Sequence, residues 1–99
     1  MSKIKNVSIQ VTATDGKTYP CRVTLGAMRR FKQVTGKDAD KIVGMSDTAA
    51  FIWCCCASAC SADGVEFGYS LDDFCDRLDI TVAEAFSKAI MPDEKKTGK

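Results

Sequence analysis

Cysteine is the residue type in this sequence best suited to chemistry, either as a metal ligand or as a nucleophile. The six cysteines are Cys21, Cys54, Cys55, Cys56, Cys60 and Cys75. Successive residues on a helix point about 100° apart, so the run 54–56 cannot converge on one ion. Cys56 and Cys60 share a helical face but supply only half of the ligands of a structural zinc site, and the chain has no histidine. We therefore expect no metal site and interpret the cysteines as small, buried apolar residues.

The same residues are poorly equipped for catalysis. No histidine is present to act as a general base. A cysteine nucleophile would then need a positive neighbourhood, but residues 54–60 carry no charge and Cys75 lies beside aspartates that raise a thiol pKa. The seven glycines are scattered and form no phosphate-binding loop. We expect no enzymatic activity and no cofactor.

The overall composition is that of one small globular domain. The chain has 99 residues, of which 45% are hydrophobic and 27% charged, and its net charge of +1 gives no strong field that would attract nucleic acid. Residues 1–6 have no apolar stretch of the kind found in a secretory signal. The longest apolar run, 49–57, is shorter than the roughly 20 residues that cross a bilayer. We expect a cytoplasmic protein with reduced thiols and no membrane contact.

The N-terminal third predicts a β-hairpin. Apolar residues alternate with polar ones along 7–13 and again along 18–23, and Asp15-Gly16 between them is a favoured turn pair. The apolar positions are Val7, Ile9, Val11, Ala13, Tyr19, Cys21 and Val23. The second strand carries Pro20, so we expect this strand either to lie at an edge of the sheet or to be interrupted there.

Four helices are expected to follow. The first spans 25–35, with Thr24 as its N-cap and Gly36 as its stop. Its apolar stripe comprises Ala27, Met28, Phe31 and Val34. The second begins at a Ser46 or Asp47 cap, runs to about residue 62 and ends at Asp63-Gly64.

Capping boxes predict where the last two helices begin. Ser70 with Asp73 opens a short helix, and Thr81 with Glu84 opens the final one. The apolar stripe of the final helix comprises Val82, Ala85, Phe86, Ala89 and Ile90, and Pro92 stops it. The predicted fold class is α+β: an N-terminal antiparallel β-hairpin packed with about four α-helices. We expect a single domain over 1–92 and a flexible polar tail over 93–99.

The last two helices also have the spacing of a helix-turn-helix, which makes a DNA-binding regulator an alternative function. The charges of these two helices argue against DNA binding. The second helix of this pair carries Lys88 as its one basic residue, whereas the first carries Asp72, Asp73 and Asp76 against Arg77. Binding to phosphates needs a basic surface, so we expect no nucleic-acid partner.

The helix from 47 to 62 is apolar around its whole circumference between 49 and 57. A surface helix would show a single apolar stripe. This helix is therefore either central to the fold or turned partly toward a partner, and the sequence leaves both readings open.

Three segments together resemble one known family. They are T-L-G-A-x-R-x-F-x-x-x-T-G over 24–36, the Trp-bearing apolar helix beginning Phe51-Ile52-Trp53, and S-L-D-D-F over 70–74. In this order, after an N-terminal hairpin, they resemble the tail assembly chaperones of long-tailed bacteriophages and prophages. The resemblance covers about residues 4–80.

The resemblance implies a non-enzymatic protein that binds the tape measure protein in the host cytoplasm, keeps it soluble and helps to recruit tail tube protein. It supplies no fixed functional residues, so amphipathicity alone predicts the partner-binding side chains: Met28, Phe31, Phe51, Trp53, Cys56 and Cys60. A structural component of the phage tail or head is a further alternative. The oligomeric state stays open, and a homo-oligomer is compatible with the sequence.

Overall fold

The computed structural model describes residues 8–90, and its elements confirm the predicted α+β fold. An antiparallel hairpin is followed by four α-helices and one short 3-10 turn. In chain order the elements are β1 (Ser8–Thr12), β2 (Thr18–Arg22), α1 (Leu25–Thr35), the 3-10 turn (Ala39–Lys41), α2 (Gly44–Asp63), α3 (Leu71–Asp76) and α4 (Ile80–Ile90). Val7, Pro92 and the predicted tail over 93–99 lie outside the described residues, so the domain limits of 1–92 stay a prediction.

The hairpin closes through a three-residue loop, one residue longer than a two-residue turn. The Gly16 N–H donates to the Ala13 carbonyl at 2.9 Å, and the Ala13 N–H donates to the Lys17 carbonyl at 2.8 Å. Gly16 adopts a φ of 89°, which favours glycine over any residue with a Cβ. In the register that follows, Val11 pairs with Tyr19.

Local capping sets both ends of α1, as predicted. The Thr24 hydroxyl accepts a hydrogen bond from the Ala27 N–H at 2.9 Å, and Gly36 ends the helix in the left-handed conformation. Thr24 Oγ1 and Ser58 Oγ also share a hydrogen bond of 2.8 Å. This bond joins the start of α1 to the later part of α2, and an ion pair between Lys37 and Asp47 joins the residues after α1 to the first turn of α2, so the two helices run antiparallel.

The start of α2 differs from the prediction. The helix begins at Gly44, and neither Ser46 nor Asp47 caps it from outside, because both lie within its first turn. The Asp47 carboxylate instead accepts from the Val43 N–H at 3.0 Å and pairs with the Lys37 ammonium. The other end is as predicted: Gly64 is left-handed, and its N–H donates to the Cys60 carbonyl.

Helix α2 is the centre of the fold. The hairpin packs on it through β2, while α1, α3 and α4 cover other sides. The Phe51 ring lies edge-on to Phe31 of α1 and Phe86 of α4, with centroids 5.5 and 6.0 Å apart. The buried residues of α2 are Thr48, Ala50, Phe51, Ile52, Cys54, Cys55, Cys56, Ala59 and Cys60. Its all-round apolar middle is therefore explained by contacts within the chain.

One of the two predicted capping boxes is wrong. The Ser70 hydroxyl accepts from the Asp73 N–H at 3.2 Å and caps α3 as predicted. Helix α4 begins at Ile80, before Thr81, and the Asp79 carboxylate accepts the Thr81 N–H at 3.2 Å. Asp79 thus satisfies an N–H of the first turn of α4, which leaves Thr81 inside the helix. Ala85 was predicted to belong to the buried stripe of α4, but it is exposed, and Ala83 is buried instead.

Candidate interaction surface

The cysteine cluster is part of the core. Cys21 of β2 lies within hydrogen-bonding reach of Cys55 and Cys56 of α2, and these three side chains have no exposed surface. Burial raises the pKa of Cys54 to about 12. Burial and the hydrogen bond to Cys21 also raise the pKa of Cys55. The Cys21 side chain is fully buried as well, so no substrate can reach its sulfur in this fold.

Metal binding receives no structural support either. Within residues 8–90, no group of three or more histidine, cysteine or acidic side chains is arranged to hold an ion. Cys75, the one cysteine outside the core, is half-buried on α3. Burial raises its pKa, and the nearby carboxylates of Asp72 and Asp76 raise it further. The thiol is therefore a poor nucleophile.

The structure places most of the predicted partner-binding residues where a partner cannot reach them. Phe31, Phe51 and Cys56 are fully buried, and Cys60 is almost so. The reason is that neighbouring elements pack around α2 from several sides, which the stripe pattern of a single helix cannot reveal. Direct contact through these four side chains would require the fold to open.

The other two predicted residues are partly accessible. Met28 and Trp53 are half-buried and pack against the core from its edge. The Trp53 indole N–H donates to the Tyr69 carbonyl at 3.1 Å, which ties the 64–70 loop to α2. The indole N–H of Trp53 is therefore used within the fold, while the exposed part of the ring is available to a partner.

Three exposed apolar residues that were not predicted to bind a partner lie near the junction between the end of α1 and the start of α2. Val34, Val43 and Met45 are 44, 73 and 43% exposed, and we call this set the α1–α2 end. Val34 was assigned to the core stripe of α1, and the other two lie in or beside a charged connection. The Lys37–Asp47 ion pair joins the residues after α1 to the first turn of α2, so the three residues flank one junction of the fold.

The charges around the α1–α2 end are balanced. Residues 32–47 contain three lysines and three aspartates. Two of the pairs meet, since Lys37 contacts Asp47 and Lys32 lies 3.8 Å from Asp38. Apolar residues surrounded by mixed charges are typical of a protein-binding site, where the apolar centre drives association and the charged rim stays hydrated.

The remaining exposed apolar residues lie outside this region. Leu25 and Ile80 each open a helix, Val65 follows the end of α2, and Ile9 lies on β1. Isolated exposed apolar residues are normal on a protein surface. The α1–α2 end is therefore the better candidate for an interaction surface.

The α3–α4 pair has the wrong charge for DNA. Its exposed side chains include Asp72, Asp73, Asp76, Asp79 and Glu84. The Arg77 guanidinium stacks 5.5 Å from the centre of the Tyr69 ring, and its Nε lies 4.0 Å from Asp15. Arg77 is thus engaged with the hairpin turn, and the acidic surface would repel phosphates.

A pocket of about 340 Å³ lies between the hairpin and the 64–70 loop, lined by Lys17, Tyr19, Glu66, Gly68 and Tyr69. The Tyr19 hydroxyl donates to the Tyr69 hydroxyl at 3.2 Å, which donates to the Asp15 carboxylate at 2.7 Å. The hydrogen bond with Tyr19, followed by that with Asp15, raises the pKa of Tyr69. These groups fasten the loop to the hairpin and present no activated nucleophile.

The chain was compared with protein families, curated proteins and solved structures. No protein-family model, curated protein or solved structure matches the chain. Among the helices that the structure describes, none is both long enough and apolar enough to cross a membrane.

Proposed function

We propose that this protein is a tail-assembly-chaperone-like protein of a long-tailed phage or prophage. It acts without catalysis, binds the tape measure protein in the host cytoplasm and aids assembly of the tail tube. The observation that carries the proposal is the ordered set of motifs over 24–36, 51–53 and 70–74. An N-terminal hairpin followed by four helices supplies the compatible fold.

The α1–α2 end is the surface that best suits this function. A long helical partner with apolar seams needs a cover that binds reversibly. Val34, Val43 and Met45 offer a small apolar contact, and the balanced charges nearby add no long-range attraction. Such a contact favours modest affinity, which suits a chaperone displaced when tube subunits polymerise. Met28 is a half-buried apolar residue on the adjoining α1.

Co-expression with the tape measure protein of the same phage or prophage tests the proposal. We expect wild type to raise the soluble fraction of that protein and to co-elute with it. The double variant Val43→Ser with Met45→Ser should lose both effects. Val65→Ser is the matched control, because Val65 is 42% exposed beyond the other end of α2 and should behave as wild type.

The proposal fails if wild type forms no complex and leaves the solubility of the tape measure protein unchanged. A salt-dependent shift of duplex DNA by the purified protein would instead favour the helix-turn-helix regulator. The position of the gene gives an independent check. A tube-protein gene just upstream and a very long tape measure gene downstream are the arrangement expected for a tail assembly chaperone.

A further inference from the structure

The two edges of the hairpin are chemically unequal, and the hydrogen-bond pattern shows why. The Ala13 N–H donates to the Lys17 carbonyl, so these residues form a hydrogen-bonded pair. Bonded and non-bonded pairs alternate along an antiparallel ladder. In the observed register, Ile9–Cys21 and Val11–Tyr19 are then the bonded pairs of the hairpin.

It follows that the backbone N–H and C=O groups of Ser8, Gln10 and Thr12 point away from β2. Their side chains are exposed, and within residues 8–90 their N–H groups have no backbone partner outside the hairpin. The five residues of β1 carry no charge. Natural sheets protect such edges with lysine, proline or a covering element, and β1 has neither of these residue types.

The edge of β2 is protected. By the same alternation, Thr18, Pro20 and Arg22 direct their backbone groups away from β1. Pro20 has no N–H to donate there. The Arg22 guanidinium pairs with the Asp63 carboxylate at 2.7 Å and holds this side of the hairpin to the end of α2. Along Ser8–Thr12 the edge of β1 is therefore open, whereas the edge of β2 is closed. The open stretch ends at Thr14, whose N–H donates to the Arg77 carbonyl at 2.7 Å.

We propose that β1 pairs antiparallel with β1 of a second copy, about a two-fold axis at Gln10. Gln10 then meets Gln10 of the second copy, and Ser8 meets Thr12, so every outward N–H in the strand faces a carbonyl. This register also places Ile9, 36% exposed on the core side of the sheet, beside the second copy's Val11. Because the hairpin over residues 8–22 has a single open edge in each copy, pairing closes at a four-stranded sheet and forms no filament.

The uncharged strand favours a second copy as the occupant. Self-pairing brings identical side chains opposite one another, which a charged strand would resist. The pairing of two five-residue strands buries less surface than the interface of a stable dimer. We therefore expect a dissociation constant on the order of hundreds of micromolar. The inference does not depend on the proposed function, because it concerns a different surface from the α1–α2 end.

Introducing a charge at Gln10 tests the dimer by sedimentation across a concentration series. Wild type should approach twice the monomer mass at the highest concentrations. Gln10→Lys and Gln10→Glu should each remain monomeric, because like charges meet at the two-fold axis. An equimolar mixture of the two should recover or exceed the wild-type association. Thr18→Lys and Thr18→Glu make the same changes on the protected edge and should associate as wild type does.

Wild-type amide exchange provides a test that needs no variant. The Gln10 N–H should exchange roughly twofold more slowly at the concentration where half of the chains are dimeric than at high dilution. Three results would each overturn the proposal. They are a wild type that stays monomeric throughout, charged Gln10 variants that associate normally, and a Gln10 amide whose exchange does not depend on concentration.

Discussion

The middle of α2 and the α1–α2 end are both rich in apolar residues, yet they have opposite environments. Phe51 in the middle contacts aromatic rings from two other helices and has no exposed surface. Val43, eight residues earlier in the chain, is 73% exposed. Apolar composition therefore does not distinguish core from interaction surface here. The distinction comes from which elements pack over each segment, and mutations at the two places should separate stability from binding.

The largest expected effect is that of Phe51→Ala. Truncation leaves a cavity between α1, α2 and α4, and similar core substitutions cost about 3–5 kcal/mol. Urea unfolding followed by circular dichroism should show this loss. Phe51→Leu, which fills more of the volume, is the control and should cost less. A stable Phe51→Ala variant that fails to bind the partner would instead make Phe51 a direct contact residue.

An intermediate effect is expected for Cys56→Leu. Cys56 is fully buried against β2, where it lies near Cys21, so a larger side chain must displace its neighbours. Overpacking of this kind costs about 1–3 kcal/mol. The urea midpoint should fall, while Cys75→Leu, at a half-buried site, should change it less. No loss of stability would mean that the cysteine cluster is more loosely packed than the structure shows.

A smaller, pH-dependent effect is expected for Asp47→Asn. The hydrogen bond from Lys37, followed by that from the Val43 N–H, holds the pKa of Asp47 below its ordinary value of 3.8. A carboxyl with a lowered folded-state pKa stabilises the fold above its unfolded pKa, and this contribution is lost as pH falls through the folded value. Urea midpoints measured from pH 6 to 2.5 should fall less steeply for the variant. Identical slopes would show that the ion pair contributes nothing.

The smallest effect on stability is expected for Val43→Ser. Most of this side chain is already in water, and serine is a favoured residue at this N-cap position of α2, so the free energy of unfolding should not fall by more than about 0.5 kcal/mol. Binding to the tape measure protein should nevertheless weaken, and co-elution from a sizing column measures it. This combination is the reverse of that expected for Phe51→Ala. A destabilised Val43→Ser protein would remove the contrast between the two regions.

Much of the fold could be predicted because its signals are local. The hairpin alternation, the Thr24 and Ser70 caps and the Gly36 and Gly64 stops each involve residues a few positions apart. The start of α4 was missed because two capping residues lie close together, and Asp79 satisfies the first turn before Thr81 can. The six predicted partner-binding residues stay a prediction, and four of them, Phe31, Phe51, Cys56 and Cys60, lie in the core, because burial depends on neighbours that a single helix pattern does not contain.

The sequence by itself determined which segments become strands and helices, and that α2 is too apolar to have a solvated face along its middle. Only the tertiary structure decided which apolar residues stay exposed, because that depends on the elements that pack over them. Val34 shows the difference: its spacing fits the buried stripe of α1, yet it lies where the helix ends and is 44% exposed. Helical periodicity assigns a residue to a face, whereas burial also requires a neighbour on that face.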